Sequence, residues 1–432
     1  MKLPFRPIVW IILLGFLLRL GSMAVNYEDM RWQNDARVSI PASRILEGKG
    51  LTLKDGAGPT AYRPPLYVLW LAMDYKIFGT FATFGPSFLQ ILVSTANIFL
   101  LFLLTRQLWK RNDVAHAAAL LLAVHPYTVY HDPALYHTFL TTALLLGCSF
   151  LLLRGAELKK TSLFFWSGLL CGLCILILSV IVPFVALCLA VALIAWKVAL
   201  KTRVILLGTF VIGMMLAWGP WIVRNQLAFH HLVPLTTESG VTLWMGNNPL
   251  AKEYLAQNRQ EETPVPDGTA FNIPERFAGC AVSNCRDGVS EYEESKELTA
   301  MGMVWIKAHP VDFVSLSLWR FKGIWSPFLT PHKTFFSSPI LNVVLTYGFA
   351  AWNVSMFILF LLGARLAWKE KKRWELAIFV GLALSGTAAY AIFLFFTKYR
   401  VPFEALLLPF AGAGLVIVFR ATRQRLHARA VK

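Results

Sequence analysis

The chain has 432 residues, of which 56% are hydrophobic and 14% aromatic, and its mean hydropathy is +0.56. That composition excludes an ordinary soluble domain. A formal net charge of +17 would suggest a nucleic-acid partner in a soluble protein, so where the charge sits along the chain decides its meaning.

Ten apolar stretches read as membrane spans: Ile8–Val25, Pro86–Arg106, Ala115–Tyr130, Ala134–Leu153, Leu163–Val180, Val182–Trp196, Val204–Val223, Pro339–Leu362, Leu376–Phe396 and Val401–Phe419. The run from Leu163 to Leu200 would be about 57 Å long as one helix, too long for one crossing. It is therefore split before Pro183. The first stretch is longer than the apolar part of a signal peptide and is followed by further spans, so it reads as an uncleaved anchor.

With the N-terminus inside, the inner segments hold Lys2 and Arg6; Arg106, Lys110 and Arg111; Arg154, Lys159 and Lys160; Lys197, Lys201 and Arg203. The last two hold Arg365, Lys369, Lys371, Lys372 and Arg373, and Arg420, Arg423, Arg425, Arg429 and Lys432. Against these stand only Asp113, Glu157, Glu370 and Glu375, and the balance equals the whole net charge of +17. This is the positive-inside pattern, and it puts both termini in the cytoplasm. The charge belongs to membrane topology, and no nucleic-acid partner is expected.

Two outer segments are long, from about 26 to 85 and from 224 to 338, while the inner ones are short. Chemistry is therefore expected on the outer face. In the first outer segment, Val38, Ala42, Ile45 and Leu46 fall on one helical face with Arg37 and Arg44 opposite, which suits a helix on the membrane surface. Leu66–Phe78 contains Asp74 and Lys76 and reads as a second interfacial helix. In the second outer segment, Glu291–Lys307 reads as a helix ended by His309-Pro310, with an amphipathic piece after it. Trp305, Trp319 and Trp325 suit the membrane–water boundary. Cys280 and Cys285 form a close pair in an oxidising compartment and read as a disulfide. Cys148, Cys171, Cys174 and Cys188 lie in spans and read as small packing residues.

Asp35, soon after the first span, is a candidate general base, or a helix cap. Asp132, in "HPYTVYHDPALYHTF", is held near the membrane boundary, where charge is costly and often functional; a turn-forming Asp-Pro pair is the alternative. His125, His131 and His137 surround it, but zinc needs a consistent ligand set on a defined scaffold, and no metal site is assigned. Arg63 in "TAYRPPLY", Arg224 in "GPWIVRNQ", and Lys398, Tyr399 and Arg400 in "FTKYRVPF" stand at outer helix ends. Each arginine alone could be a snorkelling side chain. Together they suggest a phosphate site, because guanidinium matches phosphate oxygens with several fixed donors. Arg320 and Lys322 are weaker candidates, and Arg19 reads as a structural or lipid contact.

The order of these pieces carries a resemblance. Asp35, "AYRPPLY", "TVYHDPAL", "PWIVRNQ", "GNNP", "AHPVDF" before "GIWSPF", and "KYRVPFEALLLP" resemble the GT-C fold glycosyltransferases that use polyprenyl-phosphate sugars. The chain is most similar to the bacterial branch of protein O-mannosyltransferase-like and lipid A aminoarabinose transferase-like enzymes. The resemblance implies that Asp35 activates an acceptor hydroxyl, that Asp132 is a second acidic site position, and that Arg63, Arg224 and Tyr399 contact the lipid phosphate. Ala36 stands where the family often has a second acid, and Ser39 near a common Tyr.

The expectation is an all-α polytopic membrane protein, a GT-C-like bundle of about ten transmembrane helices with outer interfacial helices and a modest outer loop domain. It divides into an N-terminal module (1–223) carrying the site, an outer region (224–338) and C-terminal helices (339–432). The expected activity moves a sugar from a polyprenyl-phosphate donor to an envelope acceptor at the outer face of a bacterial cytoplasmic membrane. No cofactor is required by that reading. The alternatives are a transporter or flippase of lipid-linked sugars, which would favour broken helices with polar groups at mid-membrane, or a non-catalytic envelope assembly protein.

Overall fold

The structure is a computed structural model and describes residues 6–32, 36–56, 58–251, 290–328, 339–393 and 397–430. Every regular element among them is helical. Seven helices are long and apolar enough to cross a membrane, and three shorter apolar ones lie at Asn112–Ala123, Thr161–Ile175 and Ser179–Ile194. Each of the ten expected spans meets one of these.

The long first helix, α1 (Arg6–Trp32), packs on α4 (Phe84–Trp109) and α5 (Asn112–Ala123). The third expected span is not one helix. The chain breaks at Val124-His125, and Pro126 starts a six-residue helix, α6 (Pro126–His131). Proline pushes the residue before it out of helical geometry and fits the first helical turn itself. The next apolar run likewise breaks at Leu176 between α8 (Thr161–Ile175) and α9 (Val182–Ala195), with Pro183 in the first turn of α9.

A central core is built by α4, α5, α7 (Thr138–Leu158), α8 and α16 (Val401–Ala430). Helices α8 and α10 (Leu200–Phe229) cross closely because Gly168, Gly172 and Gly213 leave no side chain between the two backbones. A Cβ at any of the three would run into a carbonyl oxygen of the facing helix. Small residues of this kind let membrane helices approach.

Outside the spans, α2 (Ala36–Leu46) and α3 (Pro65–Phe78) pack together through Val38, Ala42, Val68 and Leu71. The apolar face of α2 thus lies against α3 rather than being left for lipid. Helix α3 has 14 residues, about 21 Å, and carries Asp74 and Lys76, which sets it apart from the short apolar helices. Its Asp74 is buried, and burial pushes its carboxyl up to about 7 against the smaller opposing pull of the Trp70 indole. Helices α11 (Glu238–Gly246), α12 (Glu291–Ala308) and α13 (Pro310–Ile324) form an outer layer. A capping box of Ser290 and Glu293 starts α12. Leu298 and Trp305 on α12 pack against Tyr62, Val241 and Trp244, so Trp305 belongs to a protein core rather than to a membrane boundary.

The remaining spans are α14 (Pro339–Lys369) and α15 (Arg373–Ile392). One end of the bundle gathers four of the expected inner segments. Lys110 pairs with Glu157 at 2.9 Å, Arg420 with Asp113 at 2.7 Å, and Lys372 lies over the Trp109 ring at 5.8 Å.

Candidate functional site

The opposite end is organised by a collar, residues 60 to 65. Pro64 is extended (φ −58°, ψ 144°) and Pro65 opens α3, so the collar is stiff and non-helical. Its backbone is tied to distant parts of the chain. Thr60 N–H donates to Leu51 O at 2.9 Å, Thr237 N–H to Ala61 O at 3.1 Å, and Leu66 N–H to Leu176 O at 3.1 Å. Glu291, at the start of α12, accepts from Thr60 Oγ1 at 2.7 Å, from Ala61 N at 2.8 Å and from the Thr237 hydroxyl. Burial pushes the Glu291 carboxyl up, and those three donors pull it back.

Arg224, near the C-terminal end of α10, donates to Thr60 O at 2.8 Å and to Asn225 Oδ1 at 3.0 Å, and lies over the Trp221 ring at 5.1 Å. Arg63 donates from Nη1 to both oxygens of Glu238, at 2.6 and 2.7 Å. Arg37 of α2 and Arg63 both lie over the Tyr62 ring, at 5.1 and 5.7 Å, and Arg37 also donates to the Tyr62 hydroxyl at 3.2 Å. Tyr399, in the short turn before α16, stacks on Tyr390 with ring centroids 4.2 Å apart and lies 6.4 Å from Tyr136. Arg63, Tyr390 and Tyr399 all act electrostatically on the Tyr136 phenol, and Glu238 acts on Tyr390. Arg63 and Arg224, from two distant stretches of sequence, therefore meet at one collar, and Tyr399 is linked to Arg63 through Tyr136, on which both act electrostatically.

Other expected site residues are placed elsewhere or engaged otherwise. Arg400 is buried and donates to Ile324 O at 3.0 Å, Ser326 O at 2.8 Å and Asn353 Oδ1 at 2.9 Å, and pairs with Glu404 at 3.0 Å. Its guanidinium clamps α13, α14 and α16 together. Arg320 is buried too, and donates to Asn247, Gly246 O and Ala391 O; burial lowers it to about 10. Asp132 is buried, accepts from the Ser94 hydroxyl and from Thr138 Oγ1, and lies 3.5 Å from Arg19 Nε. Arg19 donates further to Gly15 O, Ala123 O, Leu122 O, Ser94 Oγ and Thr128 Oγ1, which makes it the structural contact expected of it.

The three histidines part company. His125 Nε2 lies 3.2 Å from Glu404, His131 stacks on Tyr127, and His137 meets Thr141 and Tyr136. Among the described residues no group of three metal-capable side chains stands together. Asp35, Cys280 and Cys285, and the side chain of Lys398, lie outside the described residues.

Sequence reasoning missed Glu238, Glu291, Tyr136 and Tyr390. Glu291 was visible only as the first residue of a helix, and Glu238 had no motif around it. Their roles arise from partners 175 and about 230 residues away.

Residues 62–222 match the profile of the dolichyl-phosphate-mannose-protein mannosyltransferase family. Among curated proteins nothing matches the chain significantly. Among solved structures, the chain resembles the archaeal oligosaccharyltransferase AglB from Archaeoglobus fulgidus in complex with an inhibitory peptide and a dolichol-phosphate. That match has a TM-score of 0.56 at 13% identity over 100% of this chain and 52% of the other. A second Archaeoglobus fulgidus oligosaccharyltransferase structure, complexed with zinc and sulfate, matches at a TM-score of 0.51 and 11% identity over 98% and 50% of the two chains. ArnT from Cupriavidus metallidurans bound to undecaprenyl phosphate matches at only 0.39, with 14% identity over 94% and 77%. The chain thus spans about half the length of the archaeal enzymes it resembles. Their likeness establishes the fold, which is the all-α polytopic GT-C type that the sequence resemblance implied.

Proposed function

We propose that this multi-pass membrane protein is a glycosyltransferase that moves a sugar from a polyprenyl-phosphate donor to an envelope acceptor, at the outer face of a bacterial cytoplasmic membrane. The observation that carries the reading is the meeting of Arg63 and Arg224 at the collar, with Tyr399 beside Tyr136, at the end opposite the basic loops. Two guanidiniums and a phenol held by different segments of the chain suit a phosphate that arrives on a lipid. The partial family match and the shared fold support the same chemistry.

In this reading the acceptor hydroxyl attacks the anomeric carbon and Asp35 takes its proton. The bond from that carbon to the phosphate oxygen breaks, and its electron pair leaves with the phosphate. Arg63, Arg224 and Tyr399 stabilise the charge that grows there, which is the most effective place to put fixed donors. One base and one attacking oxygen invert the anomeric centre. Arg400 and Arg320 act by holding the outer layer against the spans, and Asp132 by neutralising Arg19.

The test is release of undecaprenyl phosphate from a lipid-linked sugar by purified wild type, Asp35→Asn and Arg63→Ala. Wild type turns over, Asp35→Asn does not, and Arg63→Ala loses roughly 10²–10³-fold in kcat/KM. Full transfer by Asp35→Asn removes the base assignment. A wild type that carries the lipid across vesicles without breaking it is a transporter instead.

A further inference from the structure

One carboxylate at the collar has no part in the chemistry above. Glu238 sets both oxygens on Arg63 Nη1, the same guanidinium that the preceding reading gives to the lipid phosphate. The two side chains are only 24% and 19% exposed, so they pair in a poorly solvated place. The backbone under Glu238 is fixed. Thr237, just before it, donates its N–H to Ala61 O and its hydroxyl to Glu291. Gly240, two residues on, lies so close to the Ser295 backbone that no Cβ fits between them. A phosphate arriving at Arg63 therefore meets a carboxylate that can turn aside but cannot leave.

The two lipid phosphates that would visit this place differ in charge. A sugar-bearing donor is a phosphodiester with one negative charge. The released lipid is a monoester, whose second ionisation near pH 6 gives it about −1.5 to −2 charges at neutral pH. Arginine alone binds the more highly charged product more tightly, which is the wrong order for turnover. A fixed carboxylate beside it repels the second charge as well as the first, and at poorly solvated distances that repulsion is large.

We propose, resting on the assignment of Arg63 to the lipid phosphate, that Glu238 is a specificity-determining residue that discriminates against the monoester product and returns to Arg63 as that product leaves. Glu238 then has two states, one on Arg63 in the empty site and one turned aside while donor is bound. No bond is made or broken in the exchange, and the residue works only through charge.

The experiment measures binding of undecaprenyl phosphate and of its methyl phosphodiester to the full chain in nanodiscs at pH 7.5. Wild type, Glu238→Gln, Glu238→Asp and Arg63→Gln are compared. Glu238→Gln should tighten monoester binding by about tenfold, equivalent to about 1.4 kcal/mol, and the singly charged diester by only about threefold. Glu238→Asp keeps the charge and should keep the wild-type ratio of the two affinities, which guards against a variant that merely folds poorly. Arg63→Gln should weaken both ligands. Equal shifts for both ligands in Glu238→Gln, or a weakened monoester, would show that Glu238 only holds Arg63 in place, and the proposal falls while the Arg63 assignment stands. Unchanged binding of both ligands to Arg63→Gln overturns the Arg63 assignment and this proposal with it.

Discussion

At the basic end of the bundle Arg420, Arg111 and Lys110 meet Asp113 and Glu157 in the open; the Arg420 side chain is 62% exposed. Towards the other end Arg19 and Asp132 meet at 0% and 4% exposure, and Glu291, Arg320 and Arg400 are spent on backbone groups of distant segments. The same side-chain chemistry does two jobs. Exposed pairs are screened and worth little, so no one contact at the basic end contributes much stability. Buried pairs are costly to break, so Arg19, Arg320 and Arg400 hold the framework around the collar in one arrangement.

The sharpest way to break this contrast is Asp132→Asn, which leaves Arg19 buried without its counter-charge. Unfolding in detergent should become easier by about 3–5 kcal/mol. Adding Arg19→Met to the same chain should recover most of that loss and restore sugar transfer. A rescued fold that stays inactive would make Asp132 a catalytic group after all.

A second, smaller effect has the opposite sign. Asp74 is buried with its carboxyl raised to about 7. A folded-state value above the unfolded one favours folding at low pH, and the benefit is lost as pH rises from about 4 to about 7. Asp74→Asn should therefore be more stable than wild type at pH 8, by roughly 2–4 kcal/mol, with the gap closing towards pH 4. Thermal melts at the two pH values read this directly, and a gap that does not change with pH would remove the buried charge from the account. The least effect belongs to Arg420→Ala, which should shift stability by no more than about 0.5 kcal/mol. A large loss there would mean that the basic end is also a structural clamp.

The spans were legible because hydropathy reports burial in lipid or protein alike. The loops were legible because charge follows topology. The break at His125-Pro126 was also written in the chain, although Ala115–Tyr130 reads as one apolar run. What was not legible is pairing at long range. Nothing beside Asp132 in the sequence points to Arg19, 113 residues earlier, and nothing beside Arg63 points to Glu238. Arg400 stands next to Tyr399 and shares its motif, yet a guanidinium one position along a short turn reaches three carbonyl and amide groups of other segments instead. Neighbours in sequence need not share a site.

Helix α16 is the most enclosed of the seven long apolar helices among the described residues, with 72% of its apolar window buried, against 11% for α14, on which it packs. Among the described residues it follows fifteen other α-helices, so the ribosome makes those before it. Until it is made, the surfaces of α5 and α7 that pack on it lack that partner. That part of the core therefore closes only with a helix that is made later than the ones it packs on.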